Sequence, residues 1–224
     1  MVTMLEFSKH AGEWDLDNSL QEKLEQLLST VEKALEGDNT IKSVCNSLFP
    51  IALEVRQSVA VWFMNGGQEE MRASSAGFVY PNSESKQYPS LAKKVKSYLE
   101  MVTQLMVDLN LEQITQKMEL IDLENPYLNE LLQVYMLSSI NFESCILIAD
   151  CLLEGKVSKS EEWIEDVEGY FKTTLVTYLA CSMTLDFIEI PEDKILENPI
   201  LNRAKILKAE FAVLGTARIK SLLA

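Results

Sequence analysis

The sequence LENPYLN occupies residues 123–129, and a near copy, LENPILN, occupies residues 196–202. In each copy an Asn-Pro pair precedes a long segment with helical periodicity. An Asn side chain can cap the free amides at a helix N-terminus, and Pro suits the first helical position because it has no N–H to leave unpaired. The repeated phrase therefore predicts helices that begin at Pro126 and Pro199.

The rest of the chain shows the same helical periodicity, with apolar residues at steps of three and four. Together with the two copies of the phrase, this pattern predicts helices over about 17–36, 40–64, 89–110, 111–122, 126–154, 160–187 and 199–223. Pro50 lies inside the second of these and predicts a kink or a break. The segments 126–154 and 160–187 are apolar around most of their circumference, which is typical of central helices. We expect an all-α bundle of about six to eight mostly antiparallel helices in one domain, 1–224.

Three prolines that open predicted helices, at positions 89, 126 and 199, are spaced by 37 and 73 residues. A period of about 37 residues is typical of helical-hairpin repeats. The sequences that follow the two copies of the phrase have nothing in common, however. A true tandem repeat and the independent use of a good helix start both remain interpretations.

Two segments lack a clear helical period, an N-terminal arm (1–14) and an irregular loop (65–88). Loops longer than about 12 to 15 residues are usually functional or disordered. Arg72, Phe78, Tyr80 and Tyr88 give the loop one cation and three aromatic rings, which are residue types enriched at protein interfaces. These four side chains are candidate binding residues. The alternative is that the aromatic rings only cover the bundle.

The chain carries 20 basic and 34 acidic residues, a formal net charge of -14. So acidic a surface repels phosphate backbones, and we expect no nucleic-acid partner. The last 25 residues are the exception, with five cations against a single Glu. This basic segment either docks against the acidic body or offers a face to an acidic ligand or a phospholipid surface.

Cysteine usage and hydropathy predict a cytoplasmic protein. Cys45, Cys145, Cys151 and Cys181 form no CxxC pair, which is typical of small buried side chains in a reducing compartment. We identify no secretory signal peptide at the N-terminus. The longest charge-free helical runs, of about 12 or 13 residues, are shorter than the roughly 20 needed to span a bilayer, so no membrane span is expected.

Catalytic motifs are scarce. His10 is the only histidine, which argues against di-iron bundles and helical metallohydrolases, and no Asp-rich motif for magnesium is present. Gly66-Gly67 is not followed by a phosphate-loop lysine. Glu143 and Asp150 share a helix face, which we interpret as a solvated stripe. The sequence thus predicts no catalytic residues, no metal and no cofactor, and it favours a protein without enzymatic activity.

Two function hypotheses remain from different classes. The first is a non-enzymatic adaptor or regulatory subunit that acts through protein–protein interaction, self-association included. The second is a small-molecule-binding protein or enzyme with a pocket between the central helices, where Ser138, Asn141 and Tyr178 are candidate polar groups. A helix-turn-helix regulator ranks third, because its N-terminal part should be basic and this one is acidic. The first requires a packed interior and an exposed apolar patch, whereas the second requires an enclosed cavity.

Overall fold

The computed structural model describes residues 4–73, 80–82, 84–108 and 126–186. These ranges form seven α-helices and contain no β-strand, so the predicted all-α fold is confirmed. The helices are α1 (Met4–His10), α2 (Asn18–Glu36), α3 (Ile41–Trp62), α4 (Gln68–Ala73), α5 (Pro89–Asp108), α6 (Pro126–Leu153) and α7 (Glu161–Asp186). The helices predicted at 111–122 and 199–223, and the second copy of the phrase, lie outside the described residues.

The helices begin where capping residues and prolines predict. α5 and α6 start at Pro89 and Pro126. Asp17 caps α2, since its Oδ1 accepts a hydrogen bond from the Leu20 amide at 2.8 Å. Thr40 caps α3 in the same way. Because these caps satisfy amides that have no partner within the helix, the predicted starts are accurate to one residue.

α6 ends in a Schellman motif. The Lys156 amide donates to the Cys151 carbonyl at 3.1 Å, and the Gly155 amide donates to the Leu152 carbonyl at 3.0 Å. Gly155 has a φ of 74°, the left-handed conformation that this motif requires and that glycine adopts without steric cost. The helix end predicted at this glycine is therefore confirmed.

Contacts along the helices fix their directions. Phe142 stacks on Phe171, and Tyr135 stacks on Tyr178, so α6 and α7 are antiparallel. Lys23, near the start of α2, bonds Ser58, near the end of α3, which makes this pair antiparallel as well.

α5 and α7 run parallel to each other. Lys94 pairs with Glu168, and Tyr98 packs against Phe171 one turn further along both helices. Because α6 is antiparallel to α7, α5 is antiparallel to α6 as well.

One end of the bundle, here called the proximal end, gathers three connections. The Lys159 ammonium, just before α7, donates to the Gly37 carbonyl after α2 at 2.6 Å. The Trp163 indole donates to the Asn39 carbonyl at 2.6 Å. The Tyr88 hydroxyl, just before α5, accepts from the Lys159 amide at 2.8 Å. α3, α5 and α7 therefore begin at the proximal end, and α2 and α6 finish there.

α6 is the central helix, since every one of its residues from 138 to 153 is buried. Within the described part of the chain, the stretch Gln133–Leu153 is long and apolar enough to cross a membrane, by length and composition alone. Its most apolar window is 89% buried inside the bundle, as in the core helix of a soluble protein, so it is weak evidence for a membrane span.

Two local expectations are corrected, and the break considered at Pro50 is excluded. The arm 1–14 contains the helix α1, whose Phe7 is buried edge-on against Trp14 and Trp62. The loop 65–88 contains the helix α4, entered through a π-helical turn, Phe63–Gly67, where Gly66 has a φ of 114°. α3 continues through Pro50 without a break. Pro50 is exposed, so water can bond the carbonyl that proline leaves without its helical partner.

Candidate functional site

One surface depression among the described residues is a groove between α5 and α7, called here the α5–α7 groove. Its volume is about 640 Å³, and it is open to solvent. Its lining includes Tyr88, Leu91, Lys94, Tyr98, Glu161, Ile164, Glu165, Glu168, Gly169 and Lys172. Because both helices start at the proximal end, the groove lies in the proximal half of the bundle.

The floor of the groove is apolar. Leu91 and Ile164 are buried in the core beneath it. Tyr98 is half-buried and packs edge-on against Phe171, with 5.4 Å between the ring centroids. Gly169 is exposed in the middle of α7, and a Cβ atom built there would meet no atom within 4 Å. Glycine thus leaves open space where any other residue would place a side chain.

Tyr88 closes the proximal end of the groove and is held rigidly. Its hydroxyl accepts from the Lys159 amide at 2.8 Å and donates to the Lys159 carbonyl at 3.3 Å. Gln87 donates to the same hydroxyl at 3.2 Å and to Ser158 Oγ at 3.0 Å. The residues before α5 and α7 are therefore tied together, so this end of the groove is preformed.

The other three binding residues predicted in the loop have different positions. Tyr80 is half-buried and packs against the hydrophobic core. Arg72 lies in α4, of which it is the penultimate residue. Phe78 lies outside the described residues. Among these candidates, Tyr88 is the residue that lines the α5–α7 groove.

The charges around the groove are partly neutralised. Lys94 forms an ion pair with Glu168, whose side chain is only 6% exposed. The hydrogen bond to Glu168 raises the pKa of the Lys94 ammonium. Glu161, Glu165 and Lys172 are exposed and form no ion pair with any other described residue. The groove therefore has two available carboxylates and one available ammonium, and the Glu165 charge also helps to raise the pKa of Lys94.

A second polar cluster lies inside the bundle. Glu143 on α6 pairs with Arg56 on α3, and the side chains are only 2% and 5% exposed. The Met4 amide, the first of α1, also donates to Glu143 at 3.4 Å. The interpretation of this α6 face as a solvated stripe is therefore wrong, because α1 and α3 cover it.

The other acid of that face, Asp150, is also buried. Lys9 on α1 bonds Asp150 at 2.9 Å and Glu154 at 2.8 Å. Burial raises the pKa of Asp150 despite the nearby ammonium. Burial lowers the pKa of Lys9, but its bonds to the two carboxylates outweigh this effect and the net pKa is raised. These ion pairs attach α1 to the central helix.

The three interior polar candidates are all buried. Ser138 Oγ donates to the Tyr135 carbonyl of its own helix at 3.0 Å. The Tyr178 ring stacks on Tyr135 and Phe142, with centroids 5.5 and 5.8 Å apart, and burial raises the pKa of its hydroxyl well above 10. Asn141 Oδ1 is buried and has no hydrogen-bond partner in the described structure. Tyr178 is therefore part of an aromatic stack with Tyr135 and Phe142.

The described residues offer little for metal or nucleophilic chemistry. No group of three or more His, Cys, Asp or Glu side chains among them could hold a metal ion. All four cysteines are buried free thiols, as predicted. Burial raises the pKa of Cys145 well above 9 and that of Cys151 to about 11. These thiols are poor nucleophiles at neutral pH, because the thiolate is the reactive form.

Comparison with protein-family models, curated proteins and solved structures finds no significant match to this chain.

Proposed function

We propose that this protein is a non-enzymatic helical bundle that acts through protein–protein interaction, as an adaptor or regulatory subunit. Self-association is one form that this interaction can take. The observation that carries the proposal is the position of the exposed apolar side chains. The large apolar side chains most exposed in the described structure, called the distal apolar set, are Val61, Met101, Val134, Leu137 and Val176.

All five members of the distal apolar set lie in the half of the bundle away from the proximal end. α3, α5 and α7 begin at the proximal end, and Val61, Met101 and Val176 each lie in the second half of one of these helices. α6 finishes at the proximal end, and Val134 and Leu137 lie in its first half. The concentration of these side chains in one half, rather than their number, favours an interface.

The degree of exposure is large for these residue types. Leu137 is 48% exposed and Val176 is 56% exposed, whereas Ile140 and Leu175 beside them are at most 1% exposed. Single apolar side chains on a surface need no explanation, but a region rich in them is typical of an interaction surface. A partner that covered this region would gain roughly 25 cal/mol per Å² of apolar surface removed from water.

The proposal can be tested by site-specific photo-crosslinking in the native cell. A photoreactive amino acid replaces Leu137 or Val176 in the full chain, and the matched control carries it at Lys42, which is exposed at the proximal end. We expect discrete protein adducts from positions 137 and 176 and none from position 42. Equal labelling at the three positions, or no adduct at any of them, would contradict the proposal.

A small-molecule-binding role is the second candidate, and the buried Asn141 supports it. A buried acceptor without a hydrogen bond costs about 1–3 kcal/mol, which a ligand donor could offset. A thermal-shift screen of metabolites against the wild type and Asn141→Leu tests this role. Compounds that raise the Tm of the wild type alone would support it, and an empty screen would remove it.

A further inference from the structure

We propose that the α5–α7 groove binds a basic amphipathic peptide segment of a partner protein. Lys or Arg side chains of the segment would lie against Glu161 and Glu165, and its apolar side chains against the half-buried Tyr98 ring, above the buried Leu91 and Ile164. This inference rests on the proposed function and adds a second surface to it, because the groove lies in the proximal half and the distal apolar set does not.

The size and preformed shape of the groove suit a peptide. Its volume of about 640 Å³ accommodates several side chains, since pockets for drug-sized molecules measure about 300–1,000 Å³. The Tyr88 hydroxyl ties the start of α5 to the residues before α7, and the Lys94–Glu168 pair ties the two helices further along. A groove held at two levels loses little conformational entropy when a segment binds.

Gly169 leaves the groove without a side chain at its position on α7. A glycine inside an exposed helix costs about 1 kcal/mol relative to alanine. Nothing within 4 Å of Gly169 would meet an added Cβ, so neither close packing nor a positive φ requires glycine here. What the glycine provides is open space above the apolar floor, where a partner side chain can enter.

The charges select a basic segment. Glu168 is already paired with Lys94, so this pair contributes no net charge. Of the available charges, Glu161 and Glu165 lie in the first turns of α7, while Lys172 lies two turns beyond Glu165. The chain as a whole has a formal charge of -14, which attracts cations from a distance. A segment with cations toward the proximal end therefore complements the groove.

A peptide selection on the full-length protein tests the inference. A random-peptide phage library is selected on the wild type, and the recovered peptides are measured against three variants. Gly169→Leu fills the groove, and Glu161→Lys/Glu165→Lys reverses its available acids. Glu162→Lys is the matched control, because Glu162 is an exposed acid of the same helix turn that does not line the groove.

We expect recovered peptides to combine Lys or Arg with Leu, Phe or Tyr. The Kd of these peptides should rise about tenfold for Glu161→Lys/Glu165→Lys. Each exposed charge pair lost weakens binding by roughly 0.7 kcal/mol, and two pairs are lost. Gly169→Leu should weaken binding at least as much, and Glu162→Lys should change the Kd less than about twofold. Circular dichroism confirms that each variant keeps its helices.

Three outcomes would overturn the inference: recovery of acidic peptides, recovery of peptides that bind all variants equally, and failure to recover any peptide. Peptides that ignore the groove variants but are lost on Leu137→Glu would overturn the groove assignment while supporting the proposed function. If positions 137 and 176 gave no photo-crosslinked adduct while peptides still bound the groove, the proposed role of the distal apolar set would be contradicted. The groove assignment would then stand.

Discussion

The pair between Arg56 and Glu143 shows how the interior of this bundle tolerates charge. Each ion loses its hydration on burial, and the loss is offset only while its partner is present. Tyr178 lies close to the pair, since both Arg56 and Glu143 affect the pKa of its hydroxyl. Burial and Tyr135 have larger effects on that pKa. The pair connects α3 to α6, and Tyr178 of α7 lies at the same level of the bundle.

Removing one member of this pair is expected to be costly. Arg56→Met leaves the Glu143 carboxylate buried without its cation, and we expect a loss of about 3–5 kcal/mol in the free energy of unfolding, measured by urea denaturation. The control is Arg56→Met/Glu143→Leu, which removes both charges and should be clearly more stable than the single variant. A single variant within about 1 kcal/mol of the wild type would show that the pair is not needed.

A substitution at Gly169 is expected to have the opposite sign. Because α7 has open space at this position, Gly169→Ala should raise the free energy of unfolding by about 0.5–1 kcal/mol through helix propensity. Gly155→Ala is the matched control, since its φ of 74° makes the same change unfavourable. Equal effects of the two substitutions on the urea midpoint would refute this account of the glycines.

At the scale of elements, sequence signals were accurate for long helices and poor for short ones. The caps Asp17 and Thr40 and the opening prolines act within a single turn, so the sequence around them predicts the helix starts. α1 has seven residues and α4 has six. Helices this short are not stable alone and form through tertiary contacts, which local periodicity does not reveal.

The covered face of α6 could not be predicted from α6 itself. The sequence of α6 alone predicts that Glu143 and Asp150 form a solvated stripe, because their partners Arg56 and Lys9 are distant in sequence. The sequence feature that indicates a covered face is Arg56. It falls on the apolar face of α3 beside Ala52 and Val59, so it requires an acidic partner in the interior. The sequence also does not predict the α5–α7 groove, apart from Tyr88 as a candidate residue. The groove depends on how α5 and α7 pack, which local sequence does not reveal.

The cap of α2 gives a prediction for a single element. Asp17→Ala removes the bond from Asp17 Oδ1 to the Leu20 amide, and we expect a loss of about 1 kcal/mol in the free energy of unfolding. Asp38→Ala is the matched control, since Asp38 is exposed beyond the C-terminal end of the same helix. Chemical denaturation that shows the same loss for both variants would mean that charge, rather than capping, matters at Asp17.

At the scale of the whole molecule, buried thiols and phenols predict sensitivity to alkali. Burial raises the pKa of Cys145 and Tyr178 well above their usual values, that of Cys151 to about 11 and that of Tyr170 to about 12. The unfolded chain releases these protons at about pH 8.5 for cysteine and 10 for tyrosine, whereas the folded protein retains them. Their contribution to stability is therefore complete below about pH 8.5 and is lost as the pH rises toward 12.

We expect the urea midpoint to fall steadily between about pH 8.5 and pH 11. Tyr178→Phe removes one of the groups responsible, so its midpoint should depend less steeply on pH than that of the wild type. A midpoint that stays constant over this range would contradict the assignment of these groups as buried and protonated.

The central claim is that the protein acts through its surface, and co-purification of the full chain from its native cell tests this claim most directly. Leu137→Glu/Val176→Glu changes the distal apolar set, and Ser43→Glu/Asn46→Glu makes the same charge change at exposed positions in the proximal half. We predict that the wild type and the proximal variant retain the same partner or second copy, and that the distal variant loses it while its helical circular dichroism is unchanged. Retention of the same proteins by all three, or a wild type that purifies alone as a monomer, would contradict the account.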